Sequence, residues 1–87
     1  MRQSQHMNAL DPRQTDCFIA ASQTGAIRAA AEQLGLEPST VSRNISALEM
    51  ATAMTLLERG RHGVRPTEAG ALLLDYLQKQ VMGLEVL

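Results

Sequence analysis

Aromatic side chains are nearly missing from this sequence: Phe18 and Tyr76 stand alone, and there is no tryptophan. A core built almost without rings must be filled by Leu, Ile, Val, Met and many alanines, and alanine is buried to advantage where helices approach closely. Cysteine occurs once, as Cys17, so no internal disulfide can form. Beside Phe18 in an apolar stretch, it reads as a small buried hydrophobe rather than a redox sensor. No apolar run approaches the ~20 residues that span a bilayer, and no signal-peptide pattern is visible, so a soluble, cytoplasmic protein is expected. The recognisable machinery of catalysis is also wanting. There is no glycine-rich phosphate loop, no zinc-ligand spacing, and no nucleophile with a base and an orienting group. The chain therefore reads as a non-enzyme without cofactor or metal.

An excess of positive charge is the last absence. The formal net charge is −1 over 87 residues, which is awkward for any partner made of phosphates. Distribution matters more than the sum. Arg59, Arg61 and Arg65 fall in a stretch without an acid, whereas Asp11, Asp16, Asp75 and Glu85 lie toward the chain ends. A length of 87 residues accommodates one small domain.

What is present is organised around residues 26–48. Ile27, Ala30, Ala31 and Leu34 repeat at the spacing of one helical face, and Gly35 supplies a residue at which such a helix can stop. Pro38 then suits the first position of a second helix. Val41, Ile45 and Leu48 form its apolar stripe, while Ser39, Arg43 and Ser46 project from the other side and Ser42 from the flank. One face is made to be buried and the other to be read. This is the plan of a helix-turn-helix, in which the second helix presents short polar side chains and an arginine to the DNA major groove. Pairs of short amphipathic helices also occur in bundles that touch no nucleic acid, so the flanking segments decide.

Residues 1–9 show no periodicity and read as a disordered lead. A supporting helix follows, with Asp11 as N-cap, Pro12 at the first position, Gln14 placed to complete a capping box, and Thr24-Gly25 as its end. After the helix-turn-helix, two short extended runs, Leu56–Arg59 and Val64–Pro66, flank the tip Gly60-Arg61-His62-Gly63. They predict a β-hairpin wing, whose second strand Pro66 keeps short or at an edge. Thr67 caps a final helix with Glu68 in its first turn. Along it Leu74, Leu77, Val81 and Leu84 keep the alternating spacing of a coiled-coil seam, which predicts pairing with a partner helix.

The run from Phe18 to Gly70 resembles the N-terminal domain of LysR-type transcriptional regulators. The likeness rests on Phe18 and Ala26; on Ala30-Ala31 and Leu34; on Pro38-Ser39-Thr40-Val41-Ser42-Arg43, Ile45 and Leu48-Glu49; on Leu56-Leu57-Glu58-Arg59; and on Thr67-Glu68-Ala69-Gly70. It implies a mainly α fold: a winged helix-turn-helix of three helices and a two-stranded wing over residues 10–66, then a long linker helix over residues 67–87 that pairs two subunits. It also implies a homodimer bound to double-stranded promoter DNA, with a tetramer open to the full-length protein. A small-molecule inducer would act only through a sensing domain that this sequence lacks, which marks the chain as a fragment of a longer protein. Several positions depart from the family pattern. Glu37 stands where serine or threonine is usual, Thr52-Ala53 where Leu-Gly is common, Leu57 for phenylalanine and Pro66 for leucine.

The residues expected to meet DNA follow from this plan. Arg43 is the foremost base reader, because arginine reaches guanine O6 and N7 with two bonds. Ser39, Thr40 and Ser42 can bond phosphate or base edges, Pro38 can offer apolar contact, and Arg28 belongs to the same helix pair. At the wing, Arg61, His62 and Arg65 are placed to track the backbone or enter the minor groove. Arg59 reads as a structural residue, paired with Glu58 or Glu49 to hold the wing. The rival readings are a regulator of another class with the same winged fold, and a winged-helix interaction module that no longer binds DNA.

Overall fold

The structure is a computed structural model that describes the backbone of residues 10–86 and the side chains of residues 10–80; the expected lead of residues 1–9 lies outside it. Helices α1 (Pro12–Thr24), α2 (Ile27–Leu34) and α3 (Pro38–Thr52) are followed by strands β1 (Leu57–Gly60) and β2 (Gly63–Pro66) and by helix α4 (Glu68–Val86). This is the winged helix-turn-helix with a long C-terminal helix that the sequence predicts.

Several of the helix ends have a local reason. The Asp11 carboxylate accepts from the Arg13 amide at 2.9 Å, and Pro12 fills the first position of α1. The capping box is not completed, because Gln14 makes no bond to the Asp11 amide among the described residues; the Thr15 hydroxyl donates instead to the Pro12 carbonyl at 3.1 Å. Gly25 closes α1 at φ 80°, and Gly35 closes α2 at φ 70°, conformations that cost a residue with a Cβ about 1–2 kcal/mol. Helix α3 ends in the same left-handed way but on Ala53, at φ 58°. Here the departure from the common Leu-Gly acquires a physical meaning. We expect Ala53→Gly to stabilise the domain by about 0.5–1 kcal/mol, less than the full left-handed penalty because glycine also loses more freedom on folding. Chemical denaturation would register this as a higher midpoint at unchanged slope; a lower midpoint would contradict it.

The core lies where α1 packs against both α2 and α3. Phe18 and Cys17 of α1, Ala30 and Ala31 of α2, and Val41, Ile45 and Leu48 of α3 are all buried, with Leu56 and Leu57 closing the base of the wing. Burial raises the Cys17 thiol above its ordinary range, with the neighbouring Asp16 charge adding to it, so it stays a protonated, inert thiol.

The wing pairs antiparallel from Leu57 opposite Pro66 to Gly60 opposite Gly63. Both glycines thus belong to the strands, and Arg61-His62 alone makes the turn. Neither turn residue has positive φ; the left-handed burden falls on Gly63, at φ 119°. A Cβ at Gly63 would lie 2.1 Å from the Gly25 carbonyl oxygen, and that same oxygen accepts from the Val64 amide at 2.9 Å. The hairpin is therefore sewn to the turn between α1 and α2.

Helix α4 is tied to the other end of the wing. The Thr67 amide donates to the Leu56 carbonyl at 3.0 Å, its hydroxyl donates to the Thr55 carbonyl at 2.6 Å, and the Gly70 amide donates to that hydroxyl at 3.0 Å. Farther along, the core takes up part of the predicted seam. Leu74 and Leu77 do not stand free: together with Leu73 they are partly buried against the chain's own core. Among the described residues of α4, the large apolar side chains that face outward are Leu72 and Tyr76, one helical turn apart. Alternating three- and four-residue spacing suits either an internal or an external partner, and for Leu74 and Leu77 the nearby core provides the internal one. The side chains of Val81 and Leu84 lie outside the described residues.

Candidate nucleic-acid interface

Helix α3 is seated by Val41, Ile45 and Leu48, each 0% exposed. That anchoring fixes its rotation, and the opposite face follows: Pro38, Ser39, Arg43 and Ser46 are exposed, with Thr40 and Ser42 half-buried beside them. The guanidinium of Arg43 donates to the Thr40 hydroxyl at 3.3 Å, a contact within one turn of helix that leaves most of its donors unused. Asn44, not singled out in the sequence, turns back and donates to the Thr40 carbonyl at 3.0 Å. Glu37 precedes the helix with no side-chain cap bond, so its carboxylate contributes through the helix dipole alone.

The other sequence candidates are distributed over α2 and the wing. Arg28 is exposed on the first turn of α2, and Arg61 and His62 form the exposed wing turn. Arg65 lies on β2, where its Nε is 3.5 Å from a Glu58 carboxylate oxygen with both side chains well exposed. An exposed pair of this kind is worth ~0–1 kcal/mol and yields readily to a competing anion.

Three of the polar partnerships were not legible in the sequence. Glu49 does not pair with Arg59; its carboxylate accepts from the amides of Leu56 and Leu57 at 2.8 and 3.2 Å, capping the chain as it enters the wing. Glu58 is taken by Arg65. Arg59 reaches across to α3 instead, donating to the Ser42 hydroxyl at 3.1 Å. Cross-strand neighbours and amides freed at a chain turn outcompete acids that are merely close in sequence, and only the folded hairpin shows which groups those are. Ser42 and the wing are thereby joined, while Arg43 stands free of the wing. Among the described residues no group of histidine, cysteine and carboxylates is arranged to hold a metal, and no helix is long and apolar enough to cross a membrane.

Comparison with known proteins decides the family. Residues 12–71 match the family described as "Bacterial regulatory helix-turn-helix protein, lysR family", a span that takes in the first three helices, the wing and the start of α4. The chain belongs to the LysR family. Among curated relatives, this LysR-family chain is 41% identical over 63 residues to the HTH-type transcriptional regulator TfdS of Cupriavidus pinatubonensis, covering 72% of this chain and 21% of TfdS. The chain thus spans about a fifth of that regulator. Among solved structures, it superposes on the DNA-binding domain of CbnR in complex with DNA with a TM-score of 0.79, at 32% identity and over 84% of each chain. It matches ArgP of Mycobacterium tuberculosis equally well in fold, with a TM-score of 0.79 at 34% identity, covering 90% of this chain and 30% of ArgP.

Proposed function

We propose that this LysR-family domain binds double-stranded promoter DNA sequence-specifically and regulates transcription as part of a homodimer in the cytoplasm. The observation that carries the reading is the seating of α3: three fully buried apolar side chains on one face and Ser39, Arg43 and Ser46 exposed on the other, in a helix of a size that fits a major groove. In this reading Arg43 addresses base edges. Pro38, Ser39, Thr40 and Ser42 supply the contacts that set register, Arg28 supports them from α2, and Arg61, His62 and Arg65 follow the backbone from the wing. Residues 10–66 form the reading unit and residues 67–87 the helix that joins two copies. Leu72 and Tyr76 share that role with Leu74, Leu77, Val81 and Leu84, and two-fold pairing would bring two α3 helices to one side of a duplex. A tetramer and a response to a small-molecule inducer belong to the proposal only through parts of a longer protein.

The test is equilibrium binding to a duplex enriched by the chain itself from a random-sequence pool, measured over a range of salt. We expect a specific complex whose log affinity falls linearly with log salt, by about 0.9 for each phosphate neutralised, and a sedimenting dimer. Failure to enrich any sequence, with no binding at low salt, would point to the interaction module instead; a monomer in the complex would remove the paired-helix arrangement.

A further inference from the structure

The contact between Arg59 and Ser42 holds more than the wing in place. Arg59 lies on β1 and Ser42 on the flank of α3, and the 3.1 Å bond from guanidinium to hydroxyl joins the two parts of the fold that would straddle a strand of DNA. Both acids close to Arg59 in sequence are otherwise engaged: Glu49 by two backbone amides and Glu58 by Arg65. Among the described residues Arg59 makes no ion pair, so its charge stands uncompensated at this seam. Ser42, having accepted a hydrogen bond from Arg59, keeps its own O–H to give, and no acceptor for it is found among the described residues. The guanidinium, with several N–H groups unused, and the hydroxyl, with its O–H unused, thus offer a cluster of free donors carrying one positive charge.

From this geometry we infer that Arg59 and Ser42 form a two-part clamp for one backbone phosphate of the bound duplex, at the crossing between recognition helix and wing. The inference rests on the DNA reading and adds Arg59 to it. A phosphate offers only acceptors and a negative charge, and the flat fork of arginine can serve Ser42 on one edge and a phosphate on another. Because the clamp draws one residue from the helix and one from the wing, engagement of either half positions the other. Base readout stays with Arg43, one residue along the helix.

The experiment measures binding of the 87-residue chain to the duplex it enriches from a random pool, for wild type, Arg59→Ala, Arg59→Lys, Ser42→Ala and the Ser42→Ala/Arg59→Ala double variant, each across a salt series. Arg59→Ala should weaken binding about tenfold, as expected for loss of a charge-assisted bond, and should reduce the salt slope by about 0.9. Ser42→Ala should weaken wild type but cost little more in the Arg59→Ala background, since both act on one phosphate. Arg59→Lys should restore the slope but only part of the affinity, because an ammonium cannot serve both partners in a plane; it also keeps the test open should Arg59→Ala fold poorly. An unchanged salt slope in Arg59→Ala would reduce Arg59 to a brace of the wing, and additive losses in the double variant would show that the two residues act separately; either result overturns the clamp while leaving DNA binding intact. If the wild-type chain enriches and binds no duplex, the DNA reading itself falls, and the clamp with it.

Discussion

Arg43→Ala should weaken binding of the chain to its selected duplex by roughly five- to 150-fold, the equivalent of about 1–3 kcal/mol for loss of a bidentate base contact, without lowering the melting temperature. The second half of that expectation is what makes the first interpretable. Arg43 is exposed, and its hydrogen bond within the described residues is the 3.3 Å contact to Thr40 on its own helix. Alanine is the better helix former, by a few tenths of a kcal/mol, so the folded state loses nothing of consequence. The loss should also be uneven across sequences. A base-reading arginine costs affinity at one base pair and relaxes the preference there, whereas a backbone arginine costs affinity on every duplex alike. Repeating the random-pool enrichment with the variant distinguishes the two. A variant pool with the wild-type preference at every position would remove Arg43 from base recognition.

The second large effect is on stability. Gly70→Ala should destabilise the domain by about 2 kcal/mol or more, although glycine inside a helix ordinarily costs about 1 kcal/mol relative to alanine. The two effects oppose each other and their sizes decide. A Cβ at Gly70 would lie 2.0 Å from the Leu56 carbonyl oxygen and 3.0 Å from the carbon behind it. These are backbone atoms, so relief requires α4 and the entrance to the wing to separate by an ångström or more. That movement breaks the Thr67 amide bond to the same oxygen, 3.0 Å long, and loosens Leu56, which is 0% exposed. Overpacking of ~1–3 kcal/mol together with a lost buried hydrogen bond of ~0.5–1.5 kcal/mol outweighs the gain in propensity. For a domain of this size each kcal/mol moves the melting temperature by about 4–8 °C, so thermal unfolding followed by circular dichroism should show a fall of roughly 8–16 °C. A melting temperature at or above wild type would mean that α4 is not held against the wing as described. Ala53→Gly and Gly70→Ala exchange the same two residue types in opposite directions, and backbone geometry predicts that the first helps and the second harms.

These glycine and alanine positions mark the boundary of what the sequence discloses. Spacing alone locates α2 and α3, because Ile27, Ala30, Ala31 and Leu34, and then Val41, Ile45 and Leu48, each line one face, and a single face is all that a small core can receive. Local chemistry locates the ends: Asp11, Gly25, Gly35 and Thr67 act within a few residues of themselves. The wing is legible in the same way, to within a residue at its tip. Gly70 and Gly63 escape such reading, since each is small on account of a carbonyl that arrives from elsewhere in the chain. Glu49 and Arg59 escape it as well, because a charged side chain advertises its charge but not its partner. Leu74 and Leu77 fall between: their apolar spacing is visible, yet which surface they cover depends on where α4 is held. The outward face of α3 was accessible from periodicity, and the seam joining it to the wing was not.

The Val64 amide on the Gly25 carbonyl has a consequence for the speed of recognition. Anchored there, the hairpin takes up its working attitude when the protein folds, and little conformational entropy is left to surrender when a duplex arrives. Association then needs encounter and correct facing but no rearrangement of the hairpin, so the on-rate should be set by diffusion and electrostatic steering. Amide hydrogen exchange in the free protein would display the same thing in advance, as a slow-exchanging Val64 just behind the exposed turn of the wing.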